Sequence, residues 1–208
     1  MRVILVRHGQ TDLNIQKRLQ GSSDIPLNET GRSQARQTHE FVKTHGIVPT
    51  KIISSPLGRA IETGKLIAGS DIPVEVDENL IEMAFGIYEQ QNMDIVNPNF
   101  IHECFDHPDT YIPPEGGESY DEVLARVSKV IEKLRGRIAA GEFAENDVVM
   151  LVSHGALSHG IFEYIKKTPR AAYWNVDFNN CAIAELFLSC DGKSDDYKFI
   201  SEGFEKNW

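Results

Sequence analysis

Short apolar runs alternate with longer stretches of helical periodicity along this chain, and that alternation leaves few folds open to it. Residues 2–6 (Arg-Val-Ile-Leu-Val) are almost continuously apolar, the pattern of a strand buried on both faces. Residues 29–45 read as a helix. Ala35, Thr38, Phe41 and Val42 share a face, Asn28 is placed to cap the start and Gly46 the end. Residues 51–55 are a short strand. Ser55 as cap and Pro56 at the first helical position then open a helix carrying Ala60, Ile61, Gly64 and Ile67. Residues 73–77 read as another short strand. Ser119-Tyr-Asp-Glu122 is a capping box, followed by Val123, Val127, Val130, Ile131, Leu134 and Ile138 down one face to Gly141. Residues 147–153 form the most apolar strand and 156–167 a helix. Residues 182–188 and 197–201 are the last strands, joined by a turn-rich stretch. Strands alternating with helices predict an α/β protein of three α/β/α layers, with a mainly parallel central sheet.

The pattern breaks at residues 90–115, where Asn, Pro, His and Asp dominate around a short helix expected at 99–105. Phe100, Phe105 and Tyr111 make this stretch too aromatic for a linker, so it reads as a small cap inserted into one catalytic domain spanning 1–208. A chain of 208 residues, 41% apolar and 25% charged, suits a single globular domain. Its formal charge of −10 argues against nucleic acid or an anionic membrane surface as partner. No apolar run approaches the roughly 20 residues of a membrane span, and the opening run is too short for a signal-peptide core. Cys104, Cys181 and Cys190 form no CxxC pair, so neither a disulfide framework nor a structural zinc site is expected, and a cytoplasmic setting is.

In a parallel α/β sheet, ligands bind beyond the carboxyl ends of the strands. Two strands end alike here, one in Arg7-His8-Gly9 and one in Ser153-His154-Gly155, and a third runs into a helix whose first turn holds Arg59. Two imidazoles and two guanidiniums therefore meet at one sheet edge, joined by the N–H groups of the helix beginning near Gly155. Against an acidic background this is an anion site holding a nucleophile. Paired Arg side chains suit phosphate oxygens, and a neutral imidazole can attack phosphorus. Asn14 and Gln20 lie in the loop after the first strand, within reach of such a site. A departing alkoxide needs a proton, for which Glu82 is the first candidate and Glu89 and Glu118 are alternatives.

These motifs resemble the histidine phosphatase superfamily, also called phosphoglycerate mutase-like. Arg7-His8-Gly9, Thr11, Asn14, the run from Gly21 to Leu27, Gly31 and Gln34-Ala35 carry the resemblance. So do Ser54-Ser55-Pro56-Leu57-Gly58-Arg59-Ala60 with Thr63, Glu82 with Phe85-Gly86, Gly117-Glu118-Ser119, and Ser153-His154-Gly155. They fall in the family's order over residues 1–160. The resemblance implies a small phosphorylated substrate, no metal and no cofactor. It makes His8 the phosphorylated nucleophile and Glu82 the proton donor. Arg7, Arg59 and His154 hold the phosphoryl group, bordered by Asn14, Gln20, Gly21 and Gly155. Mutases that use a bisphosphoglycerate cofactor typically read Glu-Arg-His-Tyr-Gly at the acid, where this chain has Glu82-Met83-Ala84-Phe85-Gly86. Their carboxylate-gripping Arg pair has no counterpart, since residues 90–119 hold no Lys or Arg. A phosphomonoester hydrolase working through a phosphohistidine is therefore expected, with a phosphoglycerate mutase as the alternative and a non-catalytic phospho-ligand binder behind it. Phosphatases of the branch often show Phe-Gly-x-Trp-Glu-Gly, which here is Phe85-Gly86-Ile87-Tyr88-Glu89-Gln90.

The remaining polar residues have plainer readings. His159 lies five positions past His154, on another helical face, so the two do not chelate a metal. His102 and Asp106 read as polar surface, and Tyr173, Trp174 and Phe178 as core or interface. Asp94, Glu103, Asp106 and Asp109 make the cap acidic, which favours a singly phosphorylated substrate with a neutral or cationic leaving group. Phe204 and Trp208 near the C-terminus suggest a docking face such as a homodimer would use, or a chain end packed on its own sheet.

Overall fold

The computed structural model describes residues 1–204 and builds them around one six-stranded sheet. Strands β1 (Arg2–Arg7), β2 (Lys51–Ser54), β3 (Val74–Val76), β4 (Val148–Ser153), β5 (Ile183–Phe187) and β6 (Asp196–Ser201) lie in the order β3-β2-β4-β1-β5-β6. Strands β3, β2, β4 and β1 run parallel, and β5 and β6 continue antiparallel. The mainly parallel sheet is as the alternation predicts. The antiparallel pairing of β5 with β6 follows from the turn-rich link between them, which is too short for a crossover helix.

Among the described residues the α-helices are α1 (Asp12–Ile15), α2 (Glu29–Thr44), α3 (Gly58–Ala68), α4 (Pro98–Ile101), α5 (Tyr120–Ala139) and α6 (Gly155–Lys166). Successive side chains of a strand point to opposite faces. Val3 and Leu5 of β1 accordingly join one apolar cluster with α5 and α6, while Ile4 and Val6 join a second with α2 and α3. Both faces are covered, so the central strands must be apolar throughout. Asn28 caps α2, its side chain accepting from the Gly31 N–H at 2.8 Å, and the Ser119–Glu122 capping box starts α5.

Helix α3 departs from expectation. It begins at Gly58, with Leu57 rather than Ser55 in the capping position and Pro56 outside the helix. The Gly58 N–H is received by Asp24 from a distant loop at 2.8 Å, while Ser55 Oγ takes the Leu57 N–H one residue before the helix at 3.3 Å. The α2 start also crowds the end of β1. A Cβ on Gly31 would stand 2.1 Å from the Gln10 carbonyl oxygen, so only glycine lets these two backbones meet.

Residues 90–115 contain α4 and one wide helical turn at His102–Asp106, where a single short helix was expected at 99–105. Val96, Phe100, Cys104 and Tyr111 bury themselves in the cluster shared with α5 and α6. The carbonyl of Cys104 in the wide turn accepts from Trp174 Nε1 at 3.1 Å and from the Tyr120 hydroxyl, which ties this stretch to the body. Phe204 is half-buried and packs on the α2–α3 side of the sheet, its N–H donating to the Asn180 carbonyl. That favours the chain-end reading for Phe204, while Trp208 lies outside the described residues. No helix among the described residues is long and apolar enough to cross a membrane.

Candidate active site

The parallel register places Arg7 beside Ser153 and Ser54 beside Val152, so three strands end level with one another. His8 and His154 follow directly and face each other with ring centroids 5.1 Å apart. The His8 N–H bonds the Ser153 carbonyl, and Asn180 Nδ2 donates to the His8 carbonyl. Backbone on both sides thus fixes where the His8 ring can point.

His8 Nδ1 lies 2.7 Å from the Gly9 carbonyl oxygen, which can only accept. The ring proton therefore sits on Nδ1, and Nε2 carries a free lone pair. Burial, reinforced by the nearby Arg59 and Arg7 charges, drives the His8 pKa well below its ordinary value and keeps the ring neutral. His154 is pushed down in the same way, by burial first and then by Arg59, His8 and Arg7. Ser55 Oγ stands 2.7 Å from His154 Nε2, while the buried His154 Nδ1 has no hydrogen-bond partner. Ser55 Oγ also accepts from the Leu57 N–H at 3.3 Å, so one hydroxyl serves both the turn before α3 and the His154 ring.

Arg59 is completely buried. Its Nη1 donates to the Ser23 carbonyl at 2.7 Å and its Nη2 to the Gly21 carbonyl at 2.9 Å, and burial lowers its pKa to about 10. Gly21 presents that carbonyl from a left-handed conformation at φ +53°, and a Cβ there would strike the Glu89 carboxylate. Arg7 Nη1 donates to the Phe178 carbonyl at 2.8 Å, and burial also lowers the Arg7 pKa. The Nε atoms of both arginines are buried without a partner, and neither guanidinium has a carboxylate within ion-pair distance among the described residues. Two desolvated cations with unused donors, beside an unpartnered imidazole nitrogen, form a cradle suited to an anion.

Asn14 and Gln20 border this cradle. The Asn14 side-chain oxygen accepts from the Thr11 N–H, and the Gln20 side-chain oxygen from the Thr11 hydroxyl, which leaves their amide nitrogens as the outward donors. Glu82 and Gly155 line the same cleft, of about 230 Å³, together with Arg7, His8 and Arg59. His154 lies beneath it with no exposed surface.

Two of the N–H groups that head α6 are occupied, where the sequence reading has them free. Ala156 donates to Glu82 Oε2 at 3.2 Å and Leu157 to Glu82 Oε1 at 3.1 Å, so Glu82 closes the helix start from outside. The two alternative acids are engaged elsewhere. Glu89 binds the Ser22 and Ser23 N–H groups and both hydroxyls, and Glu118 grips Arg126 through two contacts of 2.6 and 2.7 Å. Of the three candidates, Glu82 is the one that lines the cleft with His8.

Several lining residues were not singled out in the sequence. Arg18, Leu19, Met93 and Asp177 face the cleft, as do His159, which the sequence reading weighed only as a metal ligand, and Trp174 and Phe178, which it placed in core or interface. Residues 90–115 contribute Met93 and Phe105, both apolar. None of Asp94, Glu103, Asp106 and Asp109 lines the cleft, and Asp94 pairs with Lys17 at 3.6 Å. The acidity of that stretch therefore says nothing of the leaving group. His102 Nδ1 sits 3.0 Å from Asp106 on exposed surface, as the plainer reading has it.

The depressed histidines set a pH dependence. The unfolded chain binds a proton on each ring near pH 6.5, while the folded chain holds both rings neutral well below that. Folding stability is expected to fall as pH drops below about 6.5, by roughly 1 kcal/mol per pH unit for each ring. Thermal melts between pH 7 and pH 5 check this. An anion in the cradle raises both pKa values, so inorganic phosphate should flatten the slope.

A family model, the histidine phosphatase superfamily (branch 1), matches residues 3–195. A probable phosphoglycerate mutase of Proteus mirabilis (strain HI4320) is 34% identical over 191 residues, covering 89% of this chain and 84% of that protein. Among solved structures, a mycobacterial glucosyl-3-phosphoglycerate phosphatase superposes with a TM-score of 0.79 at 27% identity, covering 96% of this chain and 97% of its own. A phosphoserine phosphatase of Entamoeba histolytica gives 0.78 at 25%, covering 96% and 95%.

Proposed function

We propose, from the premise that this chain belongs to the histidine phosphatase superfamily (branch 1), that it is a phosphomonoester hydrolase working through a covalent phosphohistidine. The observation that carries the reading is the neutral His8 ring, whose free Nε2 stands among two desolvated guanidiniums with unused donors. In the first step His8 Nε2 attacks phosphorus in line. The N–P bond forms, the P–O bond to the alcohol breaks, and Glu82 gives its proton to the departing oxygen. In the second, a water loses its proton to Glu82 and attacks phosphorus, the N–P bond breaks, and inorganic phosphate leaves. Arg7, Arg59 and His154 hold the charge on the equatorial oxygens, with Asn14, Gln20, Gly21 and Gly155 around it. Residues 90–115 act as the cap that bounds the leaving-group side through Met93 and Phe105. The free cysteines Cys104, Cys181 and Cys190 support a cytoplasmic setting.

A mutase is the second reading, favoured by the name of the Proteus relative. Against it stands the leaving-group side of the cleft. Among the described residues its one Lys or Arg beyond the cradle is Arg18, where a bisphosphorylated cofactor needs a second strongly basic grip. One assay separates the two. With 3-phosphoglycerate and bisphosphoglycerate supplied together, free phosphate is the expected product, and accumulation of 2-phosphoglycerate would overturn the hydrolase reading.

A further inference from the structure

Beyond the anion cradle, the cleft is walled mainly by apolar side chains, and two exposed charged residues of opposite sign stand in it: Arg18 and Asp177. Neither has an ion-pair partner among the described residues. We infer that Arg18 and Asp177 are specificity-determining residues that select phosphomonoesters of an alcohol carrying both a carboxylate and an ammonium group. The inference rests on the hydrolase reading above and deepens it.

Arg18 is held in place rather than loosely displayed. Its Nη1 donates to the Gln90 carbonyl at 2.8 Å. The segment that bears it is laced to the cap, with the Leu19 N–H on the Gln91 carbonyl, the Gln90 N–H on the Leu19 carbonyl and the Met93 N–H on the Lys17 carbonyl. Lys17 and Gln90 both adopt left-handed backbone, at φ +51° and +62°, a costly conformation for side-chain-bearing residues. The remaining guanidinium N–H groups are free for a carboxylate.

Asp177 belongs to a different element but is equally registered to the cradle. The next residue, Phe178, gives its carbonyl to Arg7, and Asn180 binds the His8 carbonyl. The spacing of Asp177 from the reacting phosphorus is thus set by backbone tied to the phosphate floor. The Asp177 carboxylate makes no hydrogen bond or ion pair among the described residues and suits an ammonium group.

Three substrates on one short carbon frame test the inference. O-phosphoserine carries both groups, 3-phosphoglycerate the carboxylate without the ammonium, and phosphoethanolamine the ammonium without the carboxylate. Wild-type kcat/KM should favour O-phosphoserine over each of the others by about fivefold, the scale of a partly exposed charge pair. Arg18→Gln should erase the preference over phosphoethanolamine, through KM, and Arg18→Lys should restore part of it. Asp177→Asn should erase the preference over 3-phosphoglycerate. Unchanged ratios in both variants, or a wild-type preference for either single-group substrate, would overturn the inference. Hydrolysis of p-nitrophenyl phosphate with none of the three also overturns it, yet leaves the hydrolase reading standing. Inactivity toward all four removes both.

Discussion

Replacing His8 with alanine is expected to lower kcat/KM for a phosphomonoester by at least about ten-thousandfold and to abolish radiolabelling of the enzyme by a labelled substrate. The expectation follows from one hydrogen bond. With its proton fixed on Nδ1 by the Gly9 carbonyl, His8 offers Nε2 as a lone pair, and burial among cations keeps it from being protonated. The neighbouring His154 ring is turned to Ser55 and lies beneath the cleft, so it cannot take over. The variant should also lose one of the two histidines that make folding acid-sensitive, which gives a shallower fall in stability below pH 6.5. Substantial residual turnover, or undiminished labelling of the alanine variant, would refute the nucleophile assignment.

Arg59→Lys should cost about a thousandfold in kcat/KM, although it keeps the charge. The guanidinium spans the Gly21 and Ser23 carbonyls with two nitrogens while a third stays free. An ammonium is a point charge on a flexible stem and cannot meet two divergent carbonyls and an anion together. One of the three goes unsatisfied, and a buried unpaired carbonyl costs about 1–3 kcal/mol by itself. Steady-state kinetics and isothermal titration with inorganic phosphate check the two consequences, since phosphate affinity should fall along with turnover. A lysine variant that binds phosphate as tightly as wild type would show that the two carbonyl contacts are dispensable.

The sheet and the floor of the cleft were legible because both follow from short-range signals. Apolar runs mark the buried strands, and register then carries His8 and His154 to the same edge. What escaped the sequence depends on partners far along the chain. Ser55 resembles a helix cap, yet the cap comes from Asp24 and Ser55 serves His154. The N–H groups of Ala156 and Leu157 looked available for an anion but meet Glu82. The acids of residues 90–115 seemed to speak of the leaving group, while the stretch turns Met93 and Phe105 inward and leaves its charges outside. Arg18 gave no signal because a lone arginine in a polar loop looks like any solvated cation. Only the lacing of residues 17–19 to 90–93 brings it to the cleft.

The first strand lies in the middle of the sheet, between β4 and β5, and its partners come more than a hundred residues later. During synthesis, an apolar strand therefore emerges early and waits for most of the polypeptide before its edges are paired. The cradle has the same dependence, since the contacts that orient Arg7 and His8 span 171 and 172 residues. Catalytic competence should thus arrive late and all at once, and a nascent chain halted before β4 should be sticky and inert.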